Sequence, residues 1–128
     1  MKRREAREKA LQALFQIDVS DTERTEAMTN VMEDAQIDEF LEKLVYGTTD
    51  HLEEIDALIE KHLEKWSIDR LGNIDRAVLR LAVYEMKFEK DIPRNVVYNE
   101  AIEIAKTFGG EESGRFVNGV LTKVSQSF

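Results

Sequence analysis

The sequence predicts an all-helical protein in which one-sided helices wrap a central helix that is apolar nearly all round. Three observations carry this. The chain has 128 residues with a single proline and six glycines, and its Ala, Leu, Glu and Lys content favours helix. No segment alternates apolar and polar residues with the period of a strand. The stretch 73–88, NIDRAVLRLAVYEMKF, leaves almost no polar face, the mark of a helix buried inside a domain. Arg76, Arg80 and Glu85 interrupt it, and it falls short of the roughly 20 residues a bilayer requires. Asn73 reads as its N-cap, with Asp75 in the first turn where the helix dipole favours an anion.

The first helix is expected over about Arg3 to Ile17, with Ala6, Ala10, Ala13, Leu14 and Ile17 inward and Leu11 and Phe15 widening the stripe. Arg3, Arg4 and Arg7 cluster at its start, against the helix dipole, with Arg4–Glu8 as a compensating pair. Val19 to Thr25 reads as a loop. Glu26 to Ala35 reads as a short helix with Ala27, Val31 and Met28 or Met32 inward. An amphipathic run begins near Ile37 with Phe40, Leu41, Leu44 and Val45 on one stripe, weakened by Gly47 and two threonines. Asp50 is a candidate cap of the next helix, with Glu53 three residues on. Leu52, Ile55, Leu58, Ile59, Leu63 and Trp66 line that helix's apolar side, and Ser67 to Gly72 turns into the central helix.

Glu89 to Ile92 reads as a loop and Pro93 as the opening of a helix whose inner face is Val96, Val97, Ala101, Ile104, Ala105 and Phe108. Gly109 is expected to end it. Residues 110–114 read as a turn in which Ser113 could cap a last helix from Arg115 to about Ser125. Gly119 inside that helix predicts close approach of another helix.

Charge is unevenly spread. Of 18 basic and 26 acidic side chains in the chain, residues 1–9 hold five basic and two acidic. The other 119 residues therefore carry 13 basic and 24 acidic. A split of +3 against −11 suggests a polyanion at the basic end and a basic partner elsewhere. The alternative is an acidic surface that serves solubility and a frayed, solvated terminus. No cysteine is present, so disulfides and thiolate metal sites are excluded and a reducing, cytoplasmic setting is compatible. No signal peptide or membrane span is visible. His51 and His62 stand eleven apart with no metal-ligand spacing, and no phosphate-cradling glycine motif or nucleophile elbow occurs. An enzyme is not expected, and no cofactor or metal is implied.

Three stretches together carry a family resemblance: RREAREKALQALFQ at 3–16, NIDRAVLRLAVYE at 73–85 and IPRNVVYNEAIEIAKTFGGEESGRFVNGVL at 92–121. In order and spacing the chain resembles the NusB family of bacterial transcription antitermination factors over its whole length, as one domain spanning 1–128. The resemblance implies a compact bundle of about seven helices in two small subdomains around the central helix. It implies processive antitermination at ribosomal RNA operons, with single-stranded boxA RNA bound as a heterodimer with NusE, a small-subunit ribosomal protein, within the RNA polymerase antitermination complex. By position, the implied RNA side is Lys2, Arg3, Arg4, Arg7, Phe15, Glu112 and Phe116. The implied protein-partner side is Asp69, Asp75 and Arg76. Glu112 stands where the family commonly has aspartate, and Phe15 where tyrosine is common, so a hydroxyl contact there is lost. The alternatives are a helical adaptor that binds no RNA, a stand-alone relative of the RNA-binding domain of an rRNA cytosine methyltransferase, and a homodimer formed through the partner surface.

Overall fold

A computed structural model describes residues 1–128. Seven α-helices follow one another: α1 (Arg3–Ser20), α2 (Arg24–Met32), α3 (Glu39–Asp50), α4 (Leu52–Lys61), α5 (Asn73–Phe88), α6 (Arg94–Gly109) and α7 (Glu111–Ser125), with a 3-10 turn at Ile68–Arg70 before α5. α1, α2 and α3 pack on one another, α6 and α7 pair with α5, and α5 touches α1, α3, α4, α6 and α7. The expectation of a central helix holds: ten of the 16 residues of α5 are buried, and every helix adds apolar side chains to one continuous core.

The polar side chains of α5 are what orient its neighbours. Arg76 reaches Asp18 near the end of α1, with Nη2 2.6 Å from Oδ2. Arg80 forks onto Asp56 of α4 with both bonds at 2.8 Å. Glu85 accepts from Arg7 near the start of α1. α1 and α5 are therefore antiparallel and tied at both ends. A planar guanidinium suits this work, because its two parallel N–H groups match a carboxylate and fix direction as well as distance.

Several boundaries depart from the sequence reading, each for a local reason. α1 runs on to Ser20, and the connector shrinks to Asp21–Glu23. Asp21 turns left-handed at φ 55 and returns its N–H to the Gln16 carbonyl. The Glu23 carboxylate then caps α2 by accepting from the Thr25 and Glu26 amides. α2 ends at Met32 rather than Ala35. Asp38 caps α3, and α3 continues through Gly47, Thr48 and Thr49 to Asp50. Glycine is needed there for close packing: a Cβ on Gly47 would stand 2.2 Å from Cζ of Tyr84. Thr49 returns its hydroxyl to the Val45 carbonyl. Asp50 caps nothing and instead pairs with Arg24 at 2.5 Å.

The central helix is preceded by Gly72 as N-cap. Asn73 is its first residue, and the side-chain Oδ1 of Asn73 accepts from Arg76. Val96 is 40% exposed rather than inward. Gly110, not Gly109, breaks the chain between α6 and α7, at φ 90. α7 begins at once at Glu111, so residues 111–114 are helical and Ser113 is no cap. Close helix approach also falls elsewhere than expected: it occurs at Gly47, whereas a Cβ on Gly119 would meet nothing within 4 Å.

Candidate nucleic-acid interface

The basic end of the chain is the start of α1. Lys2, Arg3 and Arg4 are exposed there, and they sit on a helix N-terminus whose dipole adds to their positive field. Arg3 shares the helix face of the buried Ala6, Arg7 and Ala10 and stays exposed because it is the first residue of α1, beyond the core, whereas Arg4 stands to the side of that face. The Arg3 guanidinium lies over the Phe40 ring of α3, 4.3 Å from its centroid. That stack steadies the cation while leaving its N–H groups free for a phosphate. Arg4 is bidentate on Glu100 of α6, with Nε 3.0 Å from Oε1. The Arg4 guanidinium holds the Glu100 carboxyl below the usual carboxylate range, and Glu100 in turn raises Arg4. A phosphate arriving at Arg4 competes with that carboxylate.

Arg7 is different. It is 3% exposed and forms three hydrogen bonds of 2.9–3.1 Å to Glu85. Burial pushes the Glu85 carboxyl up, and Arg7 opposes that shift. Arg7 Nη1 also stands 3.6 Å from Glu100. The structure thus removes Arg7 from the exposed basic set and makes it the anchor that holds the set in place. The expected Arg4–Glu8 pair is replaced by Arg4–Glu100, a partner on another helix that no local spacing could reveal.

None of the remaining expected RNA-side residues is hydrogen-bonded, ion-paired or stacked with these arginines. Phe15 is half-buried two turns beyond Arg7 on α1, and Glu112 is exposed in the first turn of α7. Phe116, half-buried on α7, lines a groove with Trp66 and the α4–α5 connector, and no α1 residue takes part in it. Trp66 is 54% exposed, against the expectation that it lines the apolar side of α4. Leu52, Leu58 and Leu63 are only half-buried. Phe40, Glu100 and Trp66 are the residues that sequence reasoning missed as surface features. Phe40 and Trp66 fit apolar stripes, and Glu100 is one acid among 26 Asp and Glu.

On the expected partner side, Asp69 is exposed on the 3-10 turn. Asp75 is half-buried, and its Oδ1 is closed from solvent with no hydrogen-bond partner. Arg76 is only 9% exposed. Besides Asp18, it donates to the carbonyls of Leu71 at 3.0 Å and Ile68 at 3.4 Å, and to Asn73 at 2.7 Å. Arg76 therefore presents no free charge to a partner. It shapes the turn that presents Asp69. No helix is long and apolar enough to cross a membrane.

With this geometry in hand, comparison with known proteins is direct. The family model described as the NusB family matches residues 4–126. The transcription antitermination protein NusB of Bacillus licheniformis is 58% identical over 124 residues, covering 97% of this chain and 96% of that protein. Its counterpart in Bacillus subtilis is 55% identical, covering 97% and 95%. A crystal structure of the antitermination factors NusB and NusE in complex with dsRNA aligns at TM-score 0.90 and 36% identity, covering 98% of this chain and 97% of that one. NusB of T. maritima aligns at 0.88 and 41%, covering 98% and 92%. The helix order, the buried α5 and the whole-length match agree, and the chain belongs to the NusB family.

Proposed function

We propose that this chain is a transcription antitermination factor that binds boxA-type RNA of ribosomal RNA operon transcripts as a heterodimer with NusE, within the RNA polymerase antitermination complex. The observation that carries the reading is the isolated basic start of α1: Lys2, Arg3 and Arg4 stand exposed on a chain whose net charge is −8. A net-acidic protein repels phosphate at long range, so such a patch gives modest affinity alone. A basic partner docked on the acidic remainder supplies the missing field, which makes the pair the RNA-binding unit. The relatives support this, since they are antitermination proteins and one solved relative holds NusE and RNA together.

In this reading, residues 1–128 act as one RNA-binding domain in the cytoplasm, with no catalytic role. Lys2, Arg3 and Arg4 meet phosphates, Arg7 positions them, and Phe15, Glu112 and Phe116 border the RNA path. Asp69 and Asp75 face NusE, on the turn braced by Arg76.

The test is fluorescence anisotropy of a labelled boxA RNA, single-stranded and paired, with this chain alone and with NusE, across a salt series. Partner-dependent binding with a log–log slope of about −0.7 per phosphate contact on single strands supports the reading. Equal binding by the lone chain removes the two-protein unit. No binding in any mixture at low salt leaves a protein adaptor.

A further inference from the structure

Trp66 is the one tryptophan of the chain, and it stands 54% exposed in the connector that follows α4. A large ring left half in water offers an apolar face on which another ring can stack. Beside it opens a groove of about 380 Å³ that Phe116, Gly119, Lys65, Arg115 and Lys123 help to line. That volume lies in the range of about 300–1,000 Å³ typical of small-ligand sites.

The fold leaves this groove empty at some cost to its own helix. Gly119 sits mid-way along α7, where glycine is the poorest helix former after proline. Close packing does not require it, because a Cβ at that position meets nothing within 4 Å. The bare backbone widens the groove instead. The rim is cationic. Lys123 pairs with Glu64 at 3.0 Å, whereas Lys65 and Arg115 have no acidic partner within 4.0 Å. A groove lined by Arg94, Asn95 and Tyr98 carries no acid, but two others differ. One beside α3 is lined by Glu39 and Glu42 with Lys43, and one beside His51 by Asp50, Glu53 and Glu54. Neither suits a phosphate.

An exposed aromatic face beside unpaired cations, on an otherwise acidic molecule, is the chemistry that holds an unpaired nucleotide: the ring stacks the base and the cations meet its phosphate. We propose that the Trp66 groove is a second RNA contact, separate from the basic start of α1, which takes one unpaired nucleotide with its base on Trp66 and its phosphate toward Lys65 and Arg115. The proposal rests on the RNA-binding reading above. It adds that one RNA strand is held at two places on the chain, at α1 and at the face between α7 and the α4–α5 connector.

Because Trp66 is unique, its fluorescence reports the groove directly. The experiment titrates the full chain with NusE, and NusE alone against the chain, using unlabelled single-stranded boxA RNA for tryptophan emission and labelled RNA for anisotropy. The NusE background is subtracted. Saturable quenching that tracks the anisotropy curve is expected. Gly119→Leu projects a side chain into the groove from a position where a Cβ meets nothing within 4 Å and replaces glycine with a better helix former, so it should melt no lower than the parent chain. It should lose the quench and bind RNA roughly 5- to 150-fold more weakly, the factor equivalent to stacking one base. Trp66→Ala should weaken binding similarly. Arg3→Ala with Arg4→Ala should weaken binding but keep the quench at saturating RNA. RNA binding by anisotropy with unchanged Trp66 emission and an unaffected Gly119→Leu variant would overturn this inference and leave the proposed function standing. Quenching by NusE alone, with none added by RNA, would assign the groove to the protein partner and equally overturn it. Absence of RNA binding under every condition would instead remove the proposed function itself.

Discussion

Arg7 and Glu85 lie 78 residues apart in sequence and meet in a buried ion pair, Nη2 to Oε1 at 2.9 Å, with side chains 4% and 2% exposed. The same two helices are joined at their other ends by Arg76 and Asp18 at 2.6 Å. Removing one partner strands a charge in the core. Arg7→Ala is therefore expected to lose about 3–5 kcal/mol of stability in urea denaturation. Arg7→Met combined with Glu85→Leu should recover most of it. A wild-type midpoint for the Arg7→Ala variant would refute the anchoring role.

The same pair sets a pH dependence. Burial raises the Glu85 carboxyl, and a raised carboxyl favours the folded state below its unfolded value and loses that contribution as pH rises through its folded value. Without Arg7 the rise is larger. The deficit of Arg7→Met relative to the parent chain should then shrink as pH falls from 7 toward the ordinary glutamate range, by up to about 1.4 kcal/mol per pH unit. Glu100 behaves oppositely, because Arg4 lowers it. Its stabilisation is present above the ordinary carboxylate range and is lost as pH falls through its depressed value. A deficit that grows on acidification would contradict the assignment for Glu85.

Arg3 and Arg4 separate binding from folding, which a variant including Arg7 would not. Their contacts with Phe40 and Glu100 are at the surface, and the exposed ion pair is worth less than about 1 kcal/mol. Replacing both by alanine should leave the melting temperature within a few degrees. It should weaken RNA binding with NusE and flatten the salt slope by about 0.7 for each phosphate contact removed. An unchanged slope would place the phosphates elsewhere.

Much of the architecture was legible because α5 advertises itself: Ala77, Val78, Leu79, Leu81, Ala82 and Val83 leave no doubt about burial, and the one-sided stripes of α1, α3 and α4 follow from it. Arg7 was not legible as a core residue. A cation in the second turn of a basic helix reads as solvated until Glu85 is placed beside it, and nothing local announces a partner 78 residues away. The α6–α7 break was misplaced for a related reason. Five residues with two glycines read as a turn, whereas Gly110 alone, at φ 90, reverses the chain. Trp66 fitted an apolar spacing, yet α4 stops at Lys61, so the spacing that suggested burial no longer applied.

Gly47 offers a test of packing. The Tyr84 ring occupies the space a Cβ would need, with Cζ at 2.2 Å, and the Tyr84 hydroxyl is itself fixed on Glu89 at 2.6 Å. The ring cannot swing away freely. Gly47→Ala should cost about 1–3 kcal/mol by overpacking, despite alanine's better helix propensity. A gain in stability on thermal unfolding would show that the ring relocates.

Arg76 and Asp69 divide structure from contact in the partner region. Arg76→Ala removes the donors to Leu71, Ile68, Asn73 and Asp18, and should cost about 3 kcal/mol or more together with NusE binding. Asp69→Ala should reduce NusE binding in a pull-down or calorimetric titration at an unchanged melting temperature. Loss of stability in Asp69→Ala would move it from the contact surface into the scaffold.

The antiparallel clamp between α1 and α5 has a consequence for how the protein is made. The first helix to leave the ribosome can pack on α2 and α3 as they emerge, but Arg7 meets its carboxylate only after Glu85 has emerged, and Arg4 waits longer still for Glu100. At about 5–20 residues per second, the arginine-rich start of the chain spends several seconds without those carboxylates, close to ribosomal RNA. Completion of α5 and α6 withdraws Arg7 into the core and ties Arg4 down. The nascent chain is thus at its most indiscriminate toward phosphate early in synthesis, and selectivity is a property that the last-made half confers on the first.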